Sequence, residues 1–200
     1  MQKQTDLRVI RTRQMIKNAF LELMNTIGFS KITVENLTKK ALISRNTFYL
    51  HYTDKYDLLD QLEAEMLNGI KDIIMEMPIE TIIANGLDNE RIFTVIIRVF
   101  EYIKDHGTFF TLFMGENGDP AFLNKLHETI KSVFLTKNMV NLLKVPEQYA
   151  IALIIGIQTS FIKEWLNSGM KEAPAEIVSI ILSIVSDLPH KIFKTNDSQL

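Results

Sequence analysis

Apolar side chains recur at intervals of three and four along almost the whole chain, the period that lines one face of a helix. Ile16, Phe20, Leu23 and Ile27 form the first stripe, and Gly28 stands where a helix over residues 8–27 would end in a left-handed cap. Val34, Leu37 and Ala41 form a second, shorter stripe behind Thr33, a good N-cap. Leu42-Ile43 reads as a tight turn, and Ser44 caps a third helix reaching about Tyr52. Asp54 caps a fourth, with Asp57 adding acid to its first turn, and this helix runs to about Met77, before Pro78. A loop over 78–88 follows, then helices over 89–106, 108–114, 120–136, 146–167 and 174–192. Gly107, the turn Gly115-Glu116-Asn117-Gly118 and Gly169 separate them. The pattern predicts an all-α protein of about nine helices: a three-helix head over 1–53 and a helical bundle over 54–200.

Residues 44–52 combine two faces on one short segment. Phe48 and Tyr52 are four apart and can anchor it to a core. Arg45, Asn46, Thr47, Tyr49 and His51 lie largely off that face and carry hydrogen-bonding groups. With the preceding helix and turn, this is a candidate helix-turn-helix: a buried stripe, a tight turn, and donors at the start of the second helix. By chemistry, Arg45 suits guanine O6/N7 and Asn46 suits adenine N6/N7. His51 reads either as a DNA neighbour or as a solvated surface histidine.

Charge changes this picture. The net charge of −2 argues against nucleic acid as a whole-chain partner. Residues 1–60, however, hold ten Lys/Arg and six Asp/Glu, giving +4, while the remainder holds twelve and eighteen, giving −6. A basic head on an acidic body fits a polyanion at the head alone, although uneven sampling of a Lys- and Glu-rich sequence would look the same.

Thr33-Val34, Leu37, Ala41, Ser44, Thr47-Phe48-Tyr49, His51-Tyr52, Lys55 and Leu58-Leu59 stand in the order and spacing of one family's DNA-binding head. Over about residues 8–60 the chain resembles the TetR-family transcriptional regulators. The resemblance implies a DNA-binding head, a C-terminal bundle that binds a small-molecule effector and dimerises, and most often repression. It further implies that Thr33 and Ser44 set helix ends near phosphates. Thr47, Tyr49 and His51 would touch backbone or bases, and Lys55 would hold a phosphate. Three positions depart from the pattern. Leu42 replaces the usual turn glycine and would be strained if that site is left-handed. Asn46 replaces a small residue and adds a base-reading amide. Asn36 replaces the acid of a capping box, which should weaken the cap. Leu42 is also the one hint of an alternative, a coactivator or interaction module that no longer binds operator DNA.

In the bundle, Phe100, His106, Phe109, Phe110, Phe113, Phe161 and Trp165 are candidate walls of an effector pocket, with Glu101 and Gln158 as further polar points; simple core is the competing reading for the aromatics. The last two helices are apolar on more than one face. Ile154, Ile157, Ile177, Ile181 and Ile184 are therefore expected at an isologous dimer interface, or else inside a monomer.

Other classes fare poorly. There is no cysteine, no metal-ligand histidine spacing, no phosphate-binding glycine loop and no nucleophile elbow, so neither catalysis, cofactor nor metal is expected. The polar start of the chain has no signal-peptide core, and the longest apolar run, from Tyr149 to Ile157, is far short of the ~20 residues that span a bilayer. A cytoplasmic protein without a membrane partner is the expectation. The expected partners are a near-palindromic double-stranded operator, a small apolar or aromatic effector and a second copy of the chain.

Overall fold

The computed structural model describes residues 7–78, 90–115 and 119–186, with Leu188 and Ile192. The expected loop beyond Pro78, the turn residues 116–118 and the chain end past Ile192 lie outside the described residues. Nine α-helices lie among those described: α1 (Leu7–Ile27), α2 (Val34–Lys40), α3 (Arg45–Tyr49), α4 (Lys55–Met75), α5 (Glu90–Asp105), α6 (Gly107–Met114), α7 (Pro120–Thr136), α8 (Glu147–Asn167) and α9 (Pro174–Val185). The chain divides into two compact units, Met1–Met66 and Leu67–Leu200, so the division falls within α4.

In the first unit the sequence stripes close on one another. Ile16 and Phe20 of α1, Leu37 of α2, Phe48 of α3, Tyr52, and Leu58 and Leu62 of α4 are all buried. Polar ties at the surface link the same helices. Lys17 pairs with Glu65 at 2.9 Å, Arg13 donates to Gln61 Oε1 at 2.6 Å, and Lys40 pairs with Glu22.

The α2–α3 turn carries the head's geometry. Leu42 N–H donates to Lys39 O at 3.4 Å and Ile43 N–H to Thr38 O at 3.0 Å. That is the paired bond pattern of a Schellman cap, whose left-handed residue is usually glycine. Leu42 occupies it with φ 55° and is 86% exposed. The end of α8 repeats the pattern with the usual residue: Gly169 has φ 83°, and Met170 N–H donates to Trp165 O at 2.8 Å.

The α2 capping box forms with Asn36 in place of the acid. Asn36 N–H donates to Thr33 Oγ1 at 3.1 Å, and Thr33 N–H donates back to Asn36 Oδ1 at 3.2 Å. An amide oxygen accepts this bond as a carboxylate would, so the box is complete. The third helix is shorter than expected. It ends at Tyr49 because His51 N–H takes Phe48 O at 2.9 Å, tightening the last turn into Tyr52.

In the second unit α9 lies along α5, and α6 touches α5, α7 and α8. Phe109 and Phe113 of α6 stack with ring centres 4.2 Å apart, and Phe122 of α7 meets Phe109 edge-on at 5.3 Å. Near the end of α4, Glu76 pairs with Arg98 of α5, and Lys137 Nζ donates to Met77 O at 2.8 Å. Where α4 approaches α5, a Cβ on Gly69 would overlap the ring and hydroxyl of Tyr102. Glycine is there for the closeness of the approach, not for its backbone angles.

Candidate functional site

The outer side of α3 is built from what its inner side fixes. Phe48 is fully buried and its ring lies 5.7 Å from that of Tyr52, which holds the helix by its apolar face. Ser44, Arg45, Asn46 and Tyr49 are then exposed, and Thr47 is half-buried. The Asn46 amide has no hydrogen-bond partner among the described residues. Arg45 reaches back to Glu35 of α2 at 2.9 Å, with both side chains well exposed. Such a pair contributes ~1 kcal/mol or less, so a guanine edge can displace Glu35 at small cost.

Three residues expected at phosphates have other occupations. Ser44 Oγ accepts Thr47 N–H at 3.0 Å and lies 2.8 Å from Thr47 Oγ1. Thr33 Oγ1 accepts Asn36 N–H and donates to Asn36 Oδ1 at 2.6 Å. Both hydroxyls cap helices. Lys55 is turned back onto the chain. Its ammonium donates to Phe29 O, Ser30 O and Ile32 O at 3.1, 3.2 and 2.9 Å and lies 4.7 Å from the Phe29 ring centre. An ammonium has three donors. All three close the 3-10 turn Phe29–Lys31, so none is left to hold a phosphate.

His51 is half-buried beside Tyr52, with ring centres 6.3 Å apart. Burial first, and the Arg13 guanidinium second, lower its pKa, so the free head presents a neutral imidazole at pH 7. Burial raises the Tyr52 hydroxyl pKa. Asp57 is held below the usual carboxylate range by the Gln61 amide and by Thr53 N–H, which donates to it at 2.7 Å.

The second candidate site is a cavity of about 170 Å³ within the C-terminal unit. Ile96 and Val99 of α5, Ile130 and Val133 of α7, and Ile154 and Gln158 of α8 are among its walls. Of the seven residues expected to line a pocket, only Phe100 does. Phe109, Phe110 and Phe113 are instead buried in the α6–α7 aromatic cluster. Trp165 is buried against Phe100, with rings 5.2 Å apart, and its indole N–H donates to Glu172 O at 3.1 Å. His106 Nδ1 lies 2.9 Å from Tyr102 O, and Phe161 is half-buried away from the cavity walls. Aromatic rings found one another, and the void opened between aliphatic helices. Gln158, an amide directly after the isoleucine-rich run 151–157 in α8, is the sequence signal that pointed to it.

The isoleucines expected at a dimer face also move inward. Ile177 and Ile181 are buried by the packing of α9 along α5, and Ile154, Ile157 and Ile181 border the cavity. Only Ile184 is exposed, at 65%. The exposed large apolar side chains of these two helices are Tyr149 and Leu153 of α8 and Ile180 and Ile184 of α9.

Among the described residues no helix is long and apolar enough to cross a membrane. Residues 16–62 match the family model for bacterial regulatory proteins of the tetR family, and residues 90–187 match one for a transcriptional regulator C-terminal region. The HTH-type transcriptional regulator YxbF of Bacillus subtilis is 40% identical over 62 residues, which are 30% of this chain and 16% of that protein's length. SrpR of Pseudomonas putida, also an HTH-type transcriptional regulator, is 22% identical over 91% of this chain and 87% of its own. The crystal structure of NalD, the secondary repressor of the MexAB-OprM multidrug efflux pump in Pseudomonas aeruginosa, superposes with a TM-score of 0.59. It shares 16% identity and the match covers 92% of this chain and 98% of NalD. With its capped helix-turn-helix and its two matched halves, the chain belongs to the TetR family, as a DNA-binding transcriptional regulator and not an enzyme.

Proposed function

We propose that this regulator acts as a homodimer, a repressor released from a near-palindromic operator by a small apolar effector. The observation that carries the reading is the exposed Arg45–Asn46 pair on a helix whose other face is locked by Phe48 and Tyr52. Two such heads reading successive major grooves would sit about one helical turn, ~34 Å, apart. Arg45 and Asn46 read bases, Tyr49 and Thr47 meet the backbone, and His51 lies at the DNA edge. The effector occupies the cavity between α5, α7 and α8. Ile74, near the end of α4, borders the same cavity, so an occupant touches the helix that also carries residues of the head unit. Ligand binding and operator binding are then linked through differential affinity for two arrangements of that helix. Repression takes support from NalD, itself a repressor.

The coactivator alternative rests on Leu42; the Schellman bonds of the turn form around that leucine, which supports an intact helix-turn-helix.

The test is fluorescence anisotropy with the DNA upstream of the chain's own coding region. Arg45→Ala and Asn46→Ala are each expected to lower specific affinity by about 5- to 150-fold while leaving non-specific binding in place. Wild-type affinity in both variants sinks the base-reading assignment.

A further inference from the structure

The cavity's walls say what kind of molecule it takes, an inference that rests on the effector reading above. Nine of its nineteen described lining residues are isoleucine, and among them Phe100 and Phe134 alone are aromatic. Branched aliphatic walls are stiff at χ1 and offer no ring face for stacking. Among the described residues no Lys, Arg, His, Asp or Glu lines the cavity. A charged molecule would leave its hydration behind and meet no counter-charge, which is strongly unfavourable. Among the described residues one polar side chain lines this aliphatic space: Gln158, one helical turn after Ile154 on α8. Its amide has no hydrogen-bond partner among the described residues, although it can donate twice and accept twice.

We propose that the cavity selects an uncharged aliphatic molecule with a single neutral polar group, docked on the Gln158 amide. An alcohol, a ketone and a primary amide all satisfy that amide, since it both donates and accepts. The size is bounded as well. A dry cavity of ~150 Å³ accommodates benzene, so 170 Å³ fits a molecule of roughly six to ten heavy atoms.

Calorimetric titration of the full chain with four six-carbon probes and benzene tests this. At pH 7, 1-hexanol and hexanamide are expected to bind, and hexanoate and hexylammonium to bind at least about a hundredfold more weakly. Gln158→Leu keeps the volume and removes the amide. It should weaken 1-hexanol and hexanamide roughly fivefold and leave benzene unchanged. Hexanoate or hexylammonium binding as tightly as 1-hexanol overturns the ligand class, and so does an unchanged 1-hexanol affinity in the variant. In either case benzene binding leaves the effector cavity standing. If benzene and all four probes fail against folded wild-type protein, the cavity is no binding site and both readings fall. Should Gln158→Leu not fold, the wild-type order of the four head groups decides the proposal alone.

Discussion

At the scale of single residues, Leu42 and His51 carry strain and charge that can be measured. Leu42 holds a left-handed angle that costs a β-carbon residue ~1–2 kcal/mol, and its side chain is almost wholly in water. Leu42→Gly relieves that strain but loosens the unfolded chain, offsetting part of the gain. The expected net is a stabilisation of about 0.5–1 kcal/mol, read as a higher denaturant midpoint at unchanged slope. His51 has a folded-state pKa below its usual value of about 6.5. As pH falls below that value the unfolded chain takes up the proton first, so this residue's contribution to stability declines on acidification. Phosphate beside the ring would reverse the preference. Operator binding would then take up a proton, and affinity should rise from about pH 7.5 to about pH 5.5, a rise flattened by His51→Gln. A wild-type profile that the variant reproduces removes His51 from the interface. These residues were legible in the sequence to different degrees. The glycine pattern exposed Leu42. Nothing in the order of residues could show that Lys55 would fold back on three carbonyls from a turn more than twenty positions earlier.

At the scale of elements, Lys55 ties the start of α4 to the 3-10 turn after α1. Removing its ammonium takes the lysine donor from the partly buried Ile32 carbonyl, while Phe29 O keeps Ile32 N–H, so Lys55→Met is expected to destabilise the chain by about 1–3 kcal/mol. Thermal unfolding measures that loss. The salt dependence of operator binding should keep its slope, because no phosphate contact is removed; a slope smaller by about one would restore the phosphate role. Helix boundaries were readable because caps are local. Thr33, Ser44, Asp54 and Asp119 each bond to backbone within three residues. The location of the cavity was not local. α8 and α9 are apolar around much of their circumference, and which of their faces meet α5 and each other is decided by all three helices at once. The aromatic rings read in sequence as core or as pocket walls, and α6 spends them on one another and on Phe122.

At the scale of the molecule, the proposed dimer has a different face from the one periodicity suggested. Tyr149 and Leu153 are one turn apart on α8, and Gly156 and Ser160 continue that stripe with small exposed residues. No atom lies within 4 Å of where a Cβ on Gly156 would sit, so another helix could come close there. Ile180 and Ile184 form the matching pair on α9. Leu153→Arg combined with Ile184→Arg places charge on both stripes and should shift a wild-type dimer to monomer in sedimentation at micromolar concentration. Operator affinity should fall with it, since each head alone reads a half-site. A variant that sediments as wild type means that the two copies meet elsewhere.

The Gly69–Tyr102 contact has a consequence for how this sequence can drift. Because α4 and α5 close on a glycine facing a tyrosine, neither position is free to change in any order. Alanine at 69 requires the half-buried Tyr102 ring to swing out of its place. A small residue at 102 arriving first merely leaves a gap, which later alanine could fill. The two sites should therefore show strong non-additivity, and lineages that lost the glycine should be those whose tyrosine went before it.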